Sequence, residues 1–300
     1  MNLQYRRAIL TTFKIFRFFL KGTRIQHTRL ATFVYLKLIQ TIVPSGSDVE
    51  VSFRGCNFIV QNMDVTLLPS IMDESYEEYE IDWITSFFPK DKSYLFIDIG
   101  ANVGLYTILV ASQTKFHCVA IEPDPRNLSK LHQNISRNGL GEKVSVFPVA
   151  VGQDSNDLNK RQFVISKFGG TSRFSNLDES DDDFELVNVK VVSLESILNN
   201  SEYWMFEQVV IKIDVEGFEP EVISSGMQVI QTLRPFMLVE FSTNPMRNQL
   251  ANWDFQILSI LFSLYSKIEI FTKKGKVECF SPQQLFEMSP FEVVNILFSP

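Results

Sequence analysis

The stretch of this 300-residue sequence whose residue types and spacing most clearly invite chemistry is Phe96-Ile97-Asp98-Ile99-Gly100-Ala101-Asn102-Val103-Gly104-Leu105. An apolar run passes straight into small residues and then into a helical pattern, a layout that brings backbone close to a ligand at the carboxyl edge of a sheet. Gly100 and Gly104 remove the Cβ atoms that would block the approach. A dinucleotide fingerprint G-x-G-x-x-G would require glycine at 102 and 105, where the chain has Asn102 and Leu105. The next apolar run, Val119-Ala120-Ile121, ends at Glu122, 24 residues after Asp98. A carboxylate at that edge accepts hydrogen bonds from both ribose hydroxyls of an adenosine ligand, whereas plain surface solvation is the alternative for a lone charge ending a strand.

These residues need a sheet to hold them. Leu95–Ile99, Val119–Ile121, Val144–Val149, Val209–Ile213 and Phe236–Val239 are near-continuous apolar runs, and helical patterns such as Leu105–Ser112, Asn127–Arg137 and Pro220–Ile230 lie between them. Apolar strands alternating with helices predict a parallel sheet covered on both faces, hence an α/β fold. Ahead of it, Val49, Val51 and Phe53 alternate with polar residues, Arg54-Gly55 provides a turn, and Phe58 and Val60 alternate again, predicting a hairpin. Behind it, Ile268–Phe271, Lys274-Gly275 and Val277–Phe280 predict a second hairpin and Val293–Phe298 a last strand, so an antiparallel element closes the sheet.

Asp98-Ile99-Gly100-Ala101-Asn102-Val103-Gly104, followed by Val119–Glu122-Pro123, resembles the FkbM family of S-adenosylmethionine-dependent methyltransferases. Three further blocks agree in the same order: Ile211-Lys212-Ile213-Asp214-Val215-Glu216-Gly217-Phe218-Glu219, Arg234-Pro235-Phe236-Met237-Leu238-Val239-Glu240, and Asn295-Ile296-Leu297-Phe298. Tyr79-Glu80 looks like the family's lead-in, with Tyr76-Glu77 competing for the match, and Pro89-Lys90 stands where the family usually has Pro-Gly. The resemblance covers residues 48–300 and leaves 1–47 outside, dividing the chain into an N-terminal extension and one methyltransferase domain. It implies a Rossmann-like class I methyltransferase sheet, mostly parallel with an antiparallel C-terminal strand. It also implies S-adenosylmethionine as cofactor and O-methylation of sugars in glycans or glycolipids, or of natural products such as polyketides. In that reading Gly100, Asn102 and Gly104 shape the methionine and ribose end, Asp98 helps hold the loop, and Glu122 grips the ribose.

Methyl transfer is an in-line displacement, so holding the acceptor oxygen against the methyl carbon does most of the work, and a positioned base helps a weakly nucleophilic hydroxyl. Asp214 ends Val209–Ile213, Glu216 and Glu219 follow it, and Glu240 ends Phe236–Val239. Four carboxylates converging on one cleft would raise the proton affinity of at least one of them. Asp214 and Glu216 are the expected catalytic residues. Glu219 precedes Pro220 at what reads as a helix start, where an acid also serves the terminus. Lys212, between Ile211 and Ile213, is expected to pair with a carboxylate. A divalent cation on Asp214 and Glu240 lacks a wider ligand pattern, and no metal is assigned. His27, His117 and His132 read as packing or surface residues. Gly169-Gly170-Thr171-Ser172 is expected to lie over the acceptor, and the run Asp178-Glu179-Ser180-Asp181-Asp182-Asp183-Phe184-Glu185 to be a solvated loop. Two other classes stand beside the methyltransferase: a non-catalytic scaffold retaining the fold, and an NAD-linked oxidoreductase, which the missing glycines disfavour.

With 45% apolar and 21% charged residues the chain buries a core and is no disordered tail. Its net charge of −7 hides an asymmetry: residues 1–47 hold eight basic side chains and no acidic one, leaving a body of 20 basic against 35 acidic residues. Such a body repels phosphate backbones, so nucleic acid is not an expected partner. Within the extension Ile9, Phe13, Phe16 and Leu20 recur at helical steps beside Arg7, Lys14, Arg17, Lys21 and Arg24, a basic amphipathic helix whose two readings are contact with an anionic membrane surface through residues 1–43, or a helix packed on the domain or a loosely ordered extension. Cys56, Cys118 and Cys279 form neither a disulfide framework nor zinc spacing, the apolar stretch Ala8–Leu20 is broken by Lys14 and Arg17, and Phe255–Ser266 is too short to cross a bilayer. The expected location is the cytoplasm, and under the first reading of that helix the inner membrane face. The 27 phenylalanines are read as core filling.

Overall fold

The computed structural model describes residues 48–61, 67–72, 76–89, 92–153, 160–166, 173–174, 184–199, 203, 205–242, 253–272, 275–289 and 293–300. The hairpin comes first: β1 (Asp48–Phe53) and β2 (Cys56–Gln61) turn at Arg54 and Gly55, both at positive φ (49° and 84°). Two helices follow, α1 (Leu67–Met72) and α2 (Glu78–Ser86). The alternating core then runs β3 (Tyr94–Ile99), α3 (Leu105–Gln113), β4 (His117–Ile121), α4 (Pro125–Arg137) and β5 (Val144–Phe147). Strands β6 (Ala150–Val151), β7 (Lys160–Ser166), β8 (Arg173–Phe174) and β9 (Phe184–Val192) build a separate sheet in the order β6-β9-β7-β8. After α5 (Leu194–Leu198) the chain continues through β10 (Gln208–Ile213), α6 (Glu219–Ser224), α7 (Met227–Leu233) and β11 (Phe236–Ser242). It closes with α8 (Phe255–Leu264), β12 (Lys267–Thr272), β13 (Gly275–Glu278), α9 (Pro282–Met288) and β14 (Val293–Ser299).

The main sheet has the order β13-β12-β14-β11-β10-β3-β4-β5. From β11 to β5 every pairing is parallel, and β14, β12 and β13 add an antiparallel edge, as the sequence pattern predicts. Helices cover both faces, and strand alternation sorts the core accordingly. Tyr94 and Phe96 pack with Phe58, Ile81 and Ile108 on one side, and Leu95, Ile97 and Ile99 pack with Ile211, Val222 and Phe298 on the other. Full burial of such side chains is worth about 1.5–3 kcal/mol each. The same alternation puts Asp98 on the first side, where parallel pairing sets it in register with Lys212. Two charged side chains are thereby committed to an apolar layer.

Two elements depart from the pattern read in the sequence. The strand expected over Val144–Val149 ends at Phe147, because Pro148 has no N–H for the ladder, and the chain enters the second sheet just beyond it at β6. Pro220–Ile230 is two helices. A Cβ on Gly226 would lie 2.7 Å from Leu194 Cγ, and Ser225 Oγ accepts the Leu194 N–H at 3.0 Å, so the break seats α5 against the turn. The three cysteines are buried with free thiols. No helix among the described residues is long and apolar enough to cross a membrane. The basic helix expected within residues 1–47, the loop 169–172 and residues 178–183 of the acidic run lie outside the described residues.

One side chain ties the hairpin to the ligand-type loop. Asn134 on α4 is fully buried; its Oδ1 accepts the Ile59 N–H at 2.7 Å, and its Nδ2 donates to Ile59 O at 3.2 Å and to Val103 O at 2.9 Å. Alanine there leaves one donor and two carbonyls without a partner, each at about 1–3 kcal/mol. Asn134→Ala is therefore expected to lower the unfolding free energy in urea by about 3 kcal/mol or more, and a loss under about 1 kcal/mol would show that water replaces the amide.

Candidate functional site

The loop after β3 is where strand ends are laced together. Gly100 N and Ala101 N both donate to Ile121 O at 3.0 Å, and Asp214 N donates to Ile99 O at 3.0 Å. At Gly100 (φ 85°) a Cβ would fall 1.8 Å from the Asp214 carbonyl oxygen, so only glycine lets the β3 and β10 loops meet. Asn102 has φ 54°, and its N–H donates to Glu122 Oε2 at 2.8 Å. Glu122 Oε1 accepts the Asp124 N–H, also at 2.8 Å. Asp98 Oδ2 accepts from Thr107 N (3.1 Å) and Thr107 Oγ1 (2.6 Å), so a carboxylate already answers the N-terminal turn of α3. Burial pushes Asp98 above the usual carboxylate range, while Lys212 and Thr107 pull against it.

A cavity of about 210 Å³ opens at this edge. Asp98, Gly100, Asn102, Glu122, Asp214 and Glu216, all expected at the site, line it together. Gly104 is the exception among the expected residues. It is absent from the lining, and a Cβ on it would meet Leu131 Cδ1 at 2.5 Å; its lack of a side chain serves the packing of α3 on α4. Glu77 and Glu240 bring the carboxylates of the lining to six, with Lys212 as the one cation among its described residues.

Lys212 is 3% exposed. Its Nζ lies 2.7 Å from Asp214 Oδ2 and 4.6 Å from the centre of the Tyr106 ring, which confirms the pairing expected for it. Burial works against the charge, but Asp214, Glu77 and Asp98 outweigh it and hold the ammonium well above its ordinary value. Tyr106 OH donates to Glu77 Oε2. Burial lifts Glu77 to about 7 against the pull of Lys212, with Asp214 and Glu80 adding to the rise. Burial likewise lifts Glu122, 5% exposed, to about 7 against its two backbone N–H bonds.

Glu219 behaves as a structural acid. It is 2% exposed, does not line the cavity, and its Oε1 accepts the N–H groups of Val215 (2.9 Å) and Gly217 (3.1 Å), pinning the loop that carries Asp214 and Glu216. One oxygen each of Asp214, Glu219 and Glu240 lies within 4.8 Å of the others, but Lys212 sits on Asp214 and the two N–H groups on Glu219. Of the two lead-in matches, Glu77 reaches the cavity, and Glu80 instead accepts from Asn295 Nδ2 on β14 at 3.2 Å. Glu77, Tyr106 and Phe163 were not singled out from the sequence. Only the Tyr76-Glu77 match hinted at the first, and neither aromatic differs in pattern from a core residue. Among the described residues five non-glycine residues have positive φ, and three of them, Glu77 (38°), Asn102 (54°) and Glu216 (54°), line the cavity. Such strain persists where the surroundings over-determine it.

Residues 98–269 match the methyltransferase FkbM domain model. Among curated proteins, the hexuronic acid methyltransferase AglP of Haloferax volcanii is 26% identical over 145 residues, 48% of this chain and 54% of that protein, so the chain spans about half the length of this relative. Among solved structures, the Pyrococcus abyssi tRNA (uracil-54, C5)-methyltransferase in complex with S-adenosyl-L-homocysteine aligns with TM-score 0.41 and 9% identity, covering 84% of this chain and 43% of that one. TYW2 of P. horikoshii in complex with MeSAdo aligns with TM-score 0.40 and 11% identity, covering 86% and 74%.

The raised carboxylates set a pH dependence. Glu77, Glu122 and Glu219 sit near 7 in the fold against an ordinary 4.5, burial being the largest cause in each. Between those values the folded chain binds more protons than the unfolded one, so stability falls as pH rises through the window. Glu269, held low by Lys267 and Lys276 despite its burial, acts below 4.5 and does not offset this. Urea unfolding of the full chain without ligand is expected to give a smaller free energy at pH 7 than at pH 5, with a shallower slope in Glu122→Gln. Stability climbing steadily from pH 5 to 7 would contradict the assignment.

Proposed function

This chain belongs to the FkbM methyltransferase family, and from that premise we propose that it moves the methyl group of S-adenosylmethionine to a hydroxyl oxygen of a sugar in a glycan or glycolipid, or of a related natural product. The observation that carries the reading is the acid-walled cavity at the carboxyl edge of the sheet. A pyrophosphate at the start of α3 would meet the Asp98 carboxylate, whereas a ligand with a positive sulfur and an ammonium group matches six carboxylates around one lysine.

The residues fit that cofactor. A carboxylate offers about four acceptor positions, of which the N–H groups of Asn102 and Asp124 take two at Glu122. Asn127, which also bonds Glu122 and lines the cavity, is a partner that a ribose hydroxyl replaces. The close backbone at Gly100 and Asn102 lies beside it, and Ile121, Val149 and Phe163 supply apolar wall for an adenine ring. When bound, S-adenosylmethionine supplies a methyl group activated by its positive sulfur. The chain's own part is to orient the acceptor and exclude water. Asp214, immobilised by Lys212, and Glu216, held by the loop that Glu219 pins, accept hydrogen bonds from acceptor hydroxyls at the transfer edge. A sugar, with several hydroxyl donors on one face, suits such a row of acceptors. The hexuronic acid in the name of the curated relative supports the sugar class.

Titration calorimetry with S-adenosylhomocysteine tests the assignment of ends. Glu122→Ala is expected to lose about 1–3 kcal/mol of affinity, and an unchanged affinity removes Glu122 from the ribose. Asp214→Asn is expected to retain binding while methyl transfer falls by about 10²-fold. Collapse of binding there would move Asp214 from the acceptor side to the cofactor shell.

A further inference from the structure

A hydroxyl acceptor must lose its proton, and the carboxylates of the cavity differ in their freedom to take it. Asp98 is committed to Thr107, Asp214 to Lys212, Glu122 stands at the diol end, and Glu216 and Glu240 each have an interaction of their own. Glu77 combines three properties that a base needs. It lines the cavity at the N-cap of α2, near enough to Lys212 and Asp214 for their charges to act on it. Its backbone is held at φ 38°, ψ 50°, a conformation that fixes where the side chain starts. Its Oε2 accepts the Tyr106 hydroxyl, which leaves the carboxylate with further acceptor positions toward the cavity.

We propose that Glu77 is the general base of the transfer, taking the proton of the acceptor hydroxyl, and that Tyr106 is its positioning residue. The proposal rests on the methyl-transfer reading above and deepens it. As the acceptor oxygen bonds to the methyl carbon, the carbon–sulfur bond breaks with its electron pair staying on sulfur, and the hydroxyl proton passes to Glu77. The neutral acid then returns the proton to water through the cavity. The surroundings support the role. Lys212 on β10, Asp214 in the loop after it, Tyr106 from α3 and Glu80 on α2 act on Glu77, with Asp98 on β3, Glu216 in the β10 loop and Glu240 on β11 lining the same cavity. Burial and the acidic neighbours bring it to about 7, where a base is half ionised at neutral pH and strong enough to work there. Tyr106 is raised well above its ordinary value by burial and by Glu77, so it keeps its proton and donates.

The test uses the full chain as wild type, Glu77→Gln, Glu77→Asp and Tyr106→Phe. S-adenosylhomocysteine affinity is measured by calorimetry, and transfer of labelled methyl is measured on a glycan extract of the cells the protein comes from. All four are expected to bind the thioether with similar affinity. Wild-type transfer is expected to rise with pH to a plateau with a midpoint near 7, Glu77→Gln to transfer about 10²–10⁴-fold more slowly at every pH, and Glu77→Asp to recover part of the rate. Tyr106→Phe removes a bond that favours the carboxylate, so its midpoint is expected to move to higher pH, where a merely structural role would lower the rate equally throughout. Carbon-13 titration of the glutamate carboxyls, with Glu77→Gln for assignment, reads the same midpoint without an acceptor. Glu77→Gln that binds S-adenosylhomocysteine and still transfers methyl within tenfold of wild type overturns the proposal alone, as does a Glu77 resonance titrating at its ordinary value. Wild type that fails to bind S-adenosylhomocysteine overturns the methyltransferase reading and the base with it.

Discussion

A single buried ammonium makes the acidic cavity tolerable. Lys212 stands in an apolar layer because β10 pairs in parallel with β3, and that register sets it beside Asp98 on the neighbouring strand while its Nζ reaches Asp214 just past the end of its own. Taking a lone charge out of water costs several kcal/mol, and the cost is offset only where partners of opposite sign and good geometry surround it. Asp214, Glu77 and Asp98 are those partners, and the Tyr106 ring lies against the same ammonium. The arrangement works both ways: the carboxylates keep Lys212 charged, and Lys212 restrains the rise that burial imposes on Glu77 and Asp98. A cavity wall of six acids around this one cation has a net negative field, and a cationic donor is the ligand class that such a field attracts.

The second constraint is distance between backbones. The approach of Gly100 to the Asp214 carbonyl and the hydrogen bond from Asp214 N to Ile99 O lock the β3 and β10 loops into one unit. On that unit Asn102 and Glu216 take left-handed conformations that side-chain-bearing residues rarely adopt, and Glu77 does the same just before α2. Glu122 and Glu219 stabilise the strained turns by accepting their N–H groups. The acids of this site thus do two kinds of work. Some hold the backbone, and others present charge to the cavity.

Much of this was legible in the sequence because the relevant forces are local or periodic. A strand buried on both faces reads as a continuous apolar run, and Leu95–Ile99 and Val209–Ile213 do so. Gly100 followed by Asn102 announces a turn beside a ligand, and the polar residues expected on that loop line the cavity. What escaped depends on contacts between distant segments. The Tyr106–Glu77 bond joins residues 29 apart; Tyr106 has no local pattern that sets it apart, and Glu77 only a match shared with Glu80. The second sheet rests on pairing between Lys160–Ser166 and Phe184–Val192 across an intervening segment. The break at Gly226 is dictated by Leu194, more than 30 residues earlier. Gly104, which does not line the cavity, is hard to read for a related reason. A glycine spared for a ligand and one spared for a neighbouring leucine look alike until Leu131 is in place.

The occupant of the cavity and its orientation are what crystals of the full chain grown with S-adenosylhomocysteine would decide. The expected arrangement has ribose hydroxyls bonded to Glu122, with the sulfur turned toward Glu77 and Asp214 of the lining. A ribose held elsewhere, or side chains closing the cavity against the ligand, would contradict it.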